Sequence, residues 1–217
     1  MTVHGFPNTL HATLDMMVLH TAAVARGLGA QFLVADLPFL THREGENNVI
    51  NAVKKLLQAG AHAVKIEGGD ERTCQTIAFL VESGVPVMGH IGLTPQSIHQ
   101  LGGNRVQGKN DEAKDKLIKD ALKLQAAGCF ALVIECVPSL VAKEITQALD
   151  IPTIGIGAGV DTDGQVLVWH DILGLQHAFM PRFVKQYVNG SEPLQQAIEM
   201  YAKEVKTRHF PLAEHCY

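Results

Sequence analysis

The chain has 217 residues and a formal net charge of −4, with 47% hydrophobic and 18% charged residues. That length suits one domain with a substantial core, and its scattered Lys and Arg residues leave no nucleic-acid footprint. No apolar run is long enough to span a membrane, and the opening MTVHGFPNTLHATLD lacks the basic and apolar regions of a signal peptide.

In chain order, residues 1–8 read as loop, and Thr13 to Arg26 reads as a helix with Thr13 as N-cap and Gly27 as stop. The strand QFLVADLPF (31–39) follows. A helix over 45–58 carries Val49, Ala52, Val53, Leu56 and Leu57 on one face. It leads through Gly60 into the strand Ala63-Val-Lys65-Ile-Glu67, closed by Gly68 and Gly69. Period two puts Lys65 and Glu67 on one side of that strand and Ile66 on the other. A helix over 71–83 stops at Gly84, before the strand VPVMGHIG (85–92).

Residues 93–112 are polar and broken by Thr94-Pro95 and Gly102-Gly103, which excludes a long regular element and marks a candidate lid or binding loop. A helix over 111–127 then feeds the strand CFALVIECVP (129–138), and a helix over 139–149 feeds Ile151-PTIGIGAGV. A sixth strand is expected at VLVWHDIL (166–173). The helix Ser191 to Arg208 closes the chain. Its Leu194, Ala197, Ile198, Tyr201, Ala202 and Val205 form an apolar stripe that reads as core-facing, although a terminal helix is also well placed to cross to another subunit.

This alternation predicts a parallel α/β fold. Polar residues at strand C-termini fit a TIM-type (β/α)8 barrel, whose active sites lie on that face; a doubly wound open sheet is the alternative. Only about six strands are countable, so the expectation is an N-terminally truncated barrel, a single partial domain over 1–217 with a C-terminal helix.

In three units an acid falls seven residues after a glycine: Gly29 to Asp36, Gly60 to Glu67, and Gly128 to Glu135. A related unit, Gly84-VPVMG-His90, delivers an imidazole at nearly the same depth. Asp36 and Glu67 are hard oxygen donors suited to Mg²⁺, which keeps waters and a chelating substrate, whereas Zn²⁺ would call for His or Cys partners. Lys65 is placed to hold a substrate carboxylate or an enolate oxygen, and His90 to donate a hydrogen bond or a proton. Glu135, in an apolar strand, suits a general base because burial raises a carboxylate's pKa toward neutrality. Together these residues point to metal-assisted enolisation of a 2-oxo acid.

Other polar residues carry less. Cys74, Cys129, Cys136 and Cys216 share no metal or redox spacing and read as small hydrophobes in a reducing compartment. His11, His42, His99 and His177 sit singly and read as surface or capping residues. Gly155, Gly157 and Gly159 alternate without a G-x-G-x-x-G pattern, so close backbone packing explains them.

LVADLPF, VKIEGG, GHIGLTPQS, IECVP and IPTIGIGAG with TDGQVLVWHD resemble, in order and spacing, the ketopantoate (3-methyl-2-oxobutanoate) hydroxymethyltransferase family over essentially the whole chain. The resemblance implies a cytoplasmic, Mg²⁺-dependent barrel enzyme of pantothenate biosynthesis, homo-oligomeric and commonly decameric. It would pass a hydroxymethyl group from methylenetetrahydrofolate to 3-methyl-2-oxobutanoate. Asp36 and Glu67 would be metal ligands, with Asp36 also beside the substrate. Lys65 and His90 would contact the substrate, and Glu135 would deprotonate its C3. The family begins with two further strands and a Gly-Asp-Ser motif that this sequence lacks, so part of the metal site is expected to be missing. Two other readings follow: an inactive form that only assembles with full-length subunits, and an enzyme like phosphoenolpyruvate mutase or isocitrate lyase acting on another 2-oxo acid.

Overall fold

A computed structural model of the protein describes residues 3–176 and 180–217; His177 lies outside them. The described residues form two compact units, Val3–Val166 and Leu167–Tyr217. In the first unit, α1 (Leu14–Gly27) precedes β1 (Val34–Asp36), and α2 (Glu46–Gln58) precedes β2 (Ala63–Glu67). Then come α3 (Glu71–Glu82), β3 (Val87–Gly92), the short α4 (Ile98–Leu101), α5 (Asp111–Ala126) and β4 (Ala131–Glu135). The unit closes with α6 (Ser139–Ala148), β5 (Thr153–Ile156) and β6 (Gly164–Gln165). All six strands are parallel and lie in chain order, giving the curled half-barrel that strand–helix alternation predicts.

Local chemistry explains the punctuation. Thr13 caps α1 by accepting from Met16 N at 3.2 Å, Asp70 caps α3 through Arg72 N and Thr73 N, and Asn110 caps α5 through Ala113 N. Past the ends of α2, α3 and α5 the backbone turns left-handed at Gly60 (φ 108°), Gly84 (φ 85°) and Gly128 (φ 96°), where a side chain would be strained. For Gly60 and Gly128 the spacing of glycine and acid is therefore a helix stop plus one strand length, whereas Gly29 lies two residues past the end of α1 and is not left-handed.

Leu56, Ile66, Ile77, Leu80, Leu124, Leu132 and Ile145 are almost wholly buried between the sheet and its helices. At about 1.5–3 kcal/mol for each such side chain, this layer holds the strand ends in place. Alternating burial along β2 puts Ile66 into that core and turns Lys65 and Glu67 to the other face.

Two expectations are corrected. The VLVWHDIL segment is not a strand: β6 is the preceding Gly164–Gln165, and the chain coils into α7 (Trp169–Ile172). Its ladder ends at Val166 N to Gly155 O, 3.0 Å, close to where β5 itself stops. Val166 remains exposed, so no burial extends the strand. The second correction concerns α8 (Ser191–Thr207). Its Leu194, Ile198, Tyr201 and Val205 are exposed among the described residues rather than core-facing.

Gly155 and Gly159 conform to the packing explanation. A Cβ on them would come within 2.5 Å of Thr162 Oγ1 and Ser139 Cβ respectively.

Candidate active site

The site is built at the C-terminal ends of four adjacent strands, β1 to β4. Strand register fixes who meets whom: Asp36 pairs with Lys65, Glu67 with His90, and Gly92 with Glu135. Side-chain contacts follow from that register. Lys65 Nζ donates to Asp36 Oδ2 at 2.9 Å. Glu67 Oε1 lies 3.8 Å from His90 Nδ1, and Glu135 Oε2 lies 3.2 Å from His90 Nε2. All five residues expected from the sequence are thus brought together.

The His90 side chain is only 2% exposed, and neither ring nitrogen has a properly aligned hydrogen-bond partner among the described residues. Buried polar atoms are nearly always paired; here the neighbours of the ring are the Glu67 and Glu135 carboxylates and the Leu93 backbone. Burial, reinforced by the nearby Lys65 charge, holds the His90 pKa well below its ordinary value. At neutral pH the ring is uncharged. It can donate one hydrogen bond, but it is a poor proton source, which narrows the role expected from the sequence.

The carboxylates respond to the same surroundings. Burial pushes the pKa of Glu135 up to about 7, against the pull of Lys65. It does the same to Glu67, also about 7, although Lys65 and the Gln96 peptide N–H oppose the rise. Burial disfavours the Lys65 ammonium, but Asp36, Glu67 and Glu135 outweigh it and raise its pKa. The cluster is one cation among three carboxylates beside a neutral imidazole.

Backbone geometry aims Glu135. The next residue, Cys136, has φ 49°, a left-handed conformation uncommon outside glycine. It is held there by Cys136 N to Ile156 O (2.8 Å) and Gln107 N to Cys136 O (2.9 Å). On the other side Gly92, with φ 91°, lies so close that a Cβ would fall 2.1 Å from Glu135 O. Burial raises the Cys136 thiol to about 11 and the Cys129 thiol to about 12, so neither is a nucleophile at neutral pH.

Sequence reading left one participant unassigned. Gln96, in the turn Pro95–Ser97, donates through its peptide N–H to Glu67 Oε2 at 2.9 Å. Beside it a cavity of about 380 Å³ is lined by Phe39, His42, Arg43, Glu67, Gln96 and His99, among others. His42, read as a surface residue, is half-buried on that wall, and burial helped by Arg43 lowers its pKa to about 4. The pattern T-P-Q-S after a strand hinted at a turn; nothing in it specified a bond to Glu67.

No group of three or more His, Cys, Asp or Glu side chains able to hold a metal is found among the described residues. Asp36 and Glu67 still suit a hard divalent cation such as Mg²⁺, which commonly takes one or two carboxylates and fills its remaining positions with water and substrate oxygens.

A parallel α/β half-barrel with an acid–base cluster at its C-terminal strand ends defines the chain as a barrel-type enzyme. Residues 1–213 match the family model for ketopantoate hydroxymethyltransferase. The 3-methyl-2-oxobutanoate hydroxymethyltransferase of Legionella pneumophila (strain Lens) is 60% identical over 217 residues, covering all of this chain and 83% of the relative. The chain belongs to the ketopantoate hydroxymethyltransferase family. In fold it is similar to a phosphonopyruvate hydrolase (TM-score 0.59, 14% identity, 97% of this chain and 73% of the other). It is also similar to 2,3-dimethylmalate lyase, a member of the PEP mutase/isocitrate lyase superfamily (TM-score 0.54, 14% identity, 99% and 75%).

Proposed function

We propose that the chain transfers a hydroxymethyl group from methylenetetrahydrofolate to 3-methyl-2-oxobutanoate, giving ketopantoate, with Mg²⁺ held by Asp36 and Glu67. The observation that carries the chemistry is the setting of Glu135: a carboxylate with a pKa of about 7, 3.2 Å from a buried neutral imidazole, near one ammonium. A base poised near neutrality is what removal of a proton next to a carbonyl demands. The relatives are named for 3-methyl-2-oxobutanoate, which supports that acceptor.

In this reading the ion, when bound, supplies Lewis-acid polarisation of the 2-oxo group. Glu135 accepts the proton from C3. Lys65 offsets the negative charge that moves onto the substrate oxygens, inside a site where charge–charge interactions are stronger than in water. His90 donates one hydrogen bond to the substrate and stays neutral. C3 then bonds to the methylene carbon of the donor, whose carbon–nitrogen bonds are given up. One water supplies the oxygen and hydrogen of the new hydroxyl and a proton to one donor nitrogen, and the proton that Glu135 took from C3 passes to the other, leaving tetrahydrofolate.

Family resemblance further supports work in the cytoplasm as a homo-oligomer, with a decamer as the expected assembly. No described helix is long and apolar enough to cross a membrane, and all four cysteines are free thiols, as suits a reducing compartment.

The test is ketopantoate formation by the purified protein with and without Mg²⁺, run beside exchange of the substrate C3–H in D₂O without folate. Metal-dependent exchange together with folate-dependent product supports the proposal. Absence of both in a folded protein would sink it.

A further inference from the structure

Gln96 makes two hydrogen bonds that converge on the carriers of both proposed metal ligands. Its peptide N–H donates to Glu67 Oε2 at 2.9 Å, and its side-chain Nε2 donates to the backbone carbonyl of Leu37 at 2.8 Å. Leu37 directly follows Asp36, and its own N–H is fixed by Lys65 O at 3.0 Å. One residue therefore grips the segment bearing Asp36 and, at the same time, one oxygen of the Glu67 carboxylate.

The rest of the loop is fastened elsewhere. Leu93 N donates to Glu135 O at 2.8 Å, and Gln107 N donates to Cys136 O at 2.9 Å, both at the end of β4. Gln96 is the fastening on the β1 and β2 side. Without it Glu67 would be drawn toward Lys65, whose charge already acts on it. With it, Oε2 is committed to the loop and Oε1 is left for other partners. On the Asp36 side, Lys65 takes Oδ2, leaving the second oxygen in the same condition.

We propose that Gln96 is a positioning residue, a strut that sets the spacing and orientation of the Asp36 and Glu67 carboxylates for a divalent cation. The inference rests on the reading of those two residues as metal ligands. Groups that orient a ligand without touching the metal typically contribute about 10–100-fold in affinity, and that is the effect expected here.

The experiment is Mn²⁺ titration of the metal-free protein, with free Mn²⁺ followed by electron paramagnetic resonance; Mn²⁺ favours the same oxygen donors as Mg²⁺. Gln96→Met keeps the side-chain length and loses the donor to Leu37. It is expected to bind Mn²⁺ about 10–100-fold more weakly with a Tm close to wild type. Asn104→Ala, exposed in the same loop, is expected to change neither. Gln96→Asn keeps the peptide donor but falls a methylene short of Leu37, and is expected to weaken binding in the same direction.

Wild-type affinity in either folded Gln96 variant overturns the strut, as does a loss of Tm with affinity unchanged. Asp36→Asn separates the two levels of the argument: weaker binding there, with none lost at Gln96, removes the strut and leaves the metal ligands standing. No Mn²⁺ binding by the wild type removes both.

Discussion

His90 stands between two carboxylates, with Nε2 3.2 Å from Glu135 Oε2 and Nδ1 3.8 Å from Glu67 Oε1. Were the ring protonated, these would be ion pairs; burial and Lys65 keep it neutral, so the ring acts as a spacer that can donate to only one neighbour at a time. Negative charge in the pocket is then balanced by Lys65 alone among these five residues.

Glu135→Gln is expected to lower turnover by about 10²–10⁴-fold, the usual contribution of a positioned base. Exchange of the substrate C3–H in D₂O, followed by NMR, should be lost in parallel while oxo-acid binding is kept. In the wild type, exchange should rise with pH through about 7, where Glu135 ionises. Exchange as fast in the variant as in the wild type would assign the base elsewhere.

Stability of the metal-free protein should fall as pH rises. Glu67 and Glu135 titrate near 7 when folded and near 4.5 when unfolded, so between those values the unfolded chain ionises first. Protons are then bound more by the native state, and the linkage slope is negative. Their stabilisation is fully present below pH 4.5, is lost through about 7, and is on the order of 3 kcal/mol for each group. Thermal melts in EDTA from pH 5 to 8 should show the decline, and Glu135→Gln should flatten it.

Lys65→Met leaves three carboxylates without their cation. Loss of a charge-assisted hydrogen bond worth about 1.5–3 kcal/mol should reduce kcat/KM for the oxo acid about 10–150-fold. Steady-state kinetics at saturating metal would check this, and an unchanged KM for the oxo acid would argue against contact with the substrate.

Gly92→Ala tests the backbone behind Glu135. A Cβ 2.1 Å from Glu135 O cannot be accommodated by moving a flexible side chain, and φ 91° adds its own strain. A loss above about 3 kcal/mol is expected, among the large values reserved for such clashes. Urea denaturation is the measurement; a loss under about 1 kcal/mol would show that the two strands separate easily.

Much of this was legible because local signals and tertiary demands agreed. Glycine stops and buried strands were set by adjacent residues, so Asp36, Glu67, His90 and Glu135 could be placed at one level from their spacing alone. Gln96 could not, since its partners lie 29 and 59 positions away in sequence and one is a backbone carbonyl, invisible to residue type. The VLVWHDIL segment misled for the opposite reason: it has the alternation of a strand, while pairing needs a neighbour that continues, and β5 ends at Ile156. His42 looked like any single histidine until the loop after β1 folded it onto a cavity wall.

Sequential strand order has a bearing on synthesis. Asp36 on β1, Lys65 and Glu67 on β2, and His90 on β3 leave the ribosome before Glu135 on β4 does. A nascent chain ending before β4 would carry Asp36, Lys65, Glu67 and His90 without Glu135. With Glu135 as the proposed base, the cluster is complete only when the fourth strand docks, so a half-made chain is expected to remain idle.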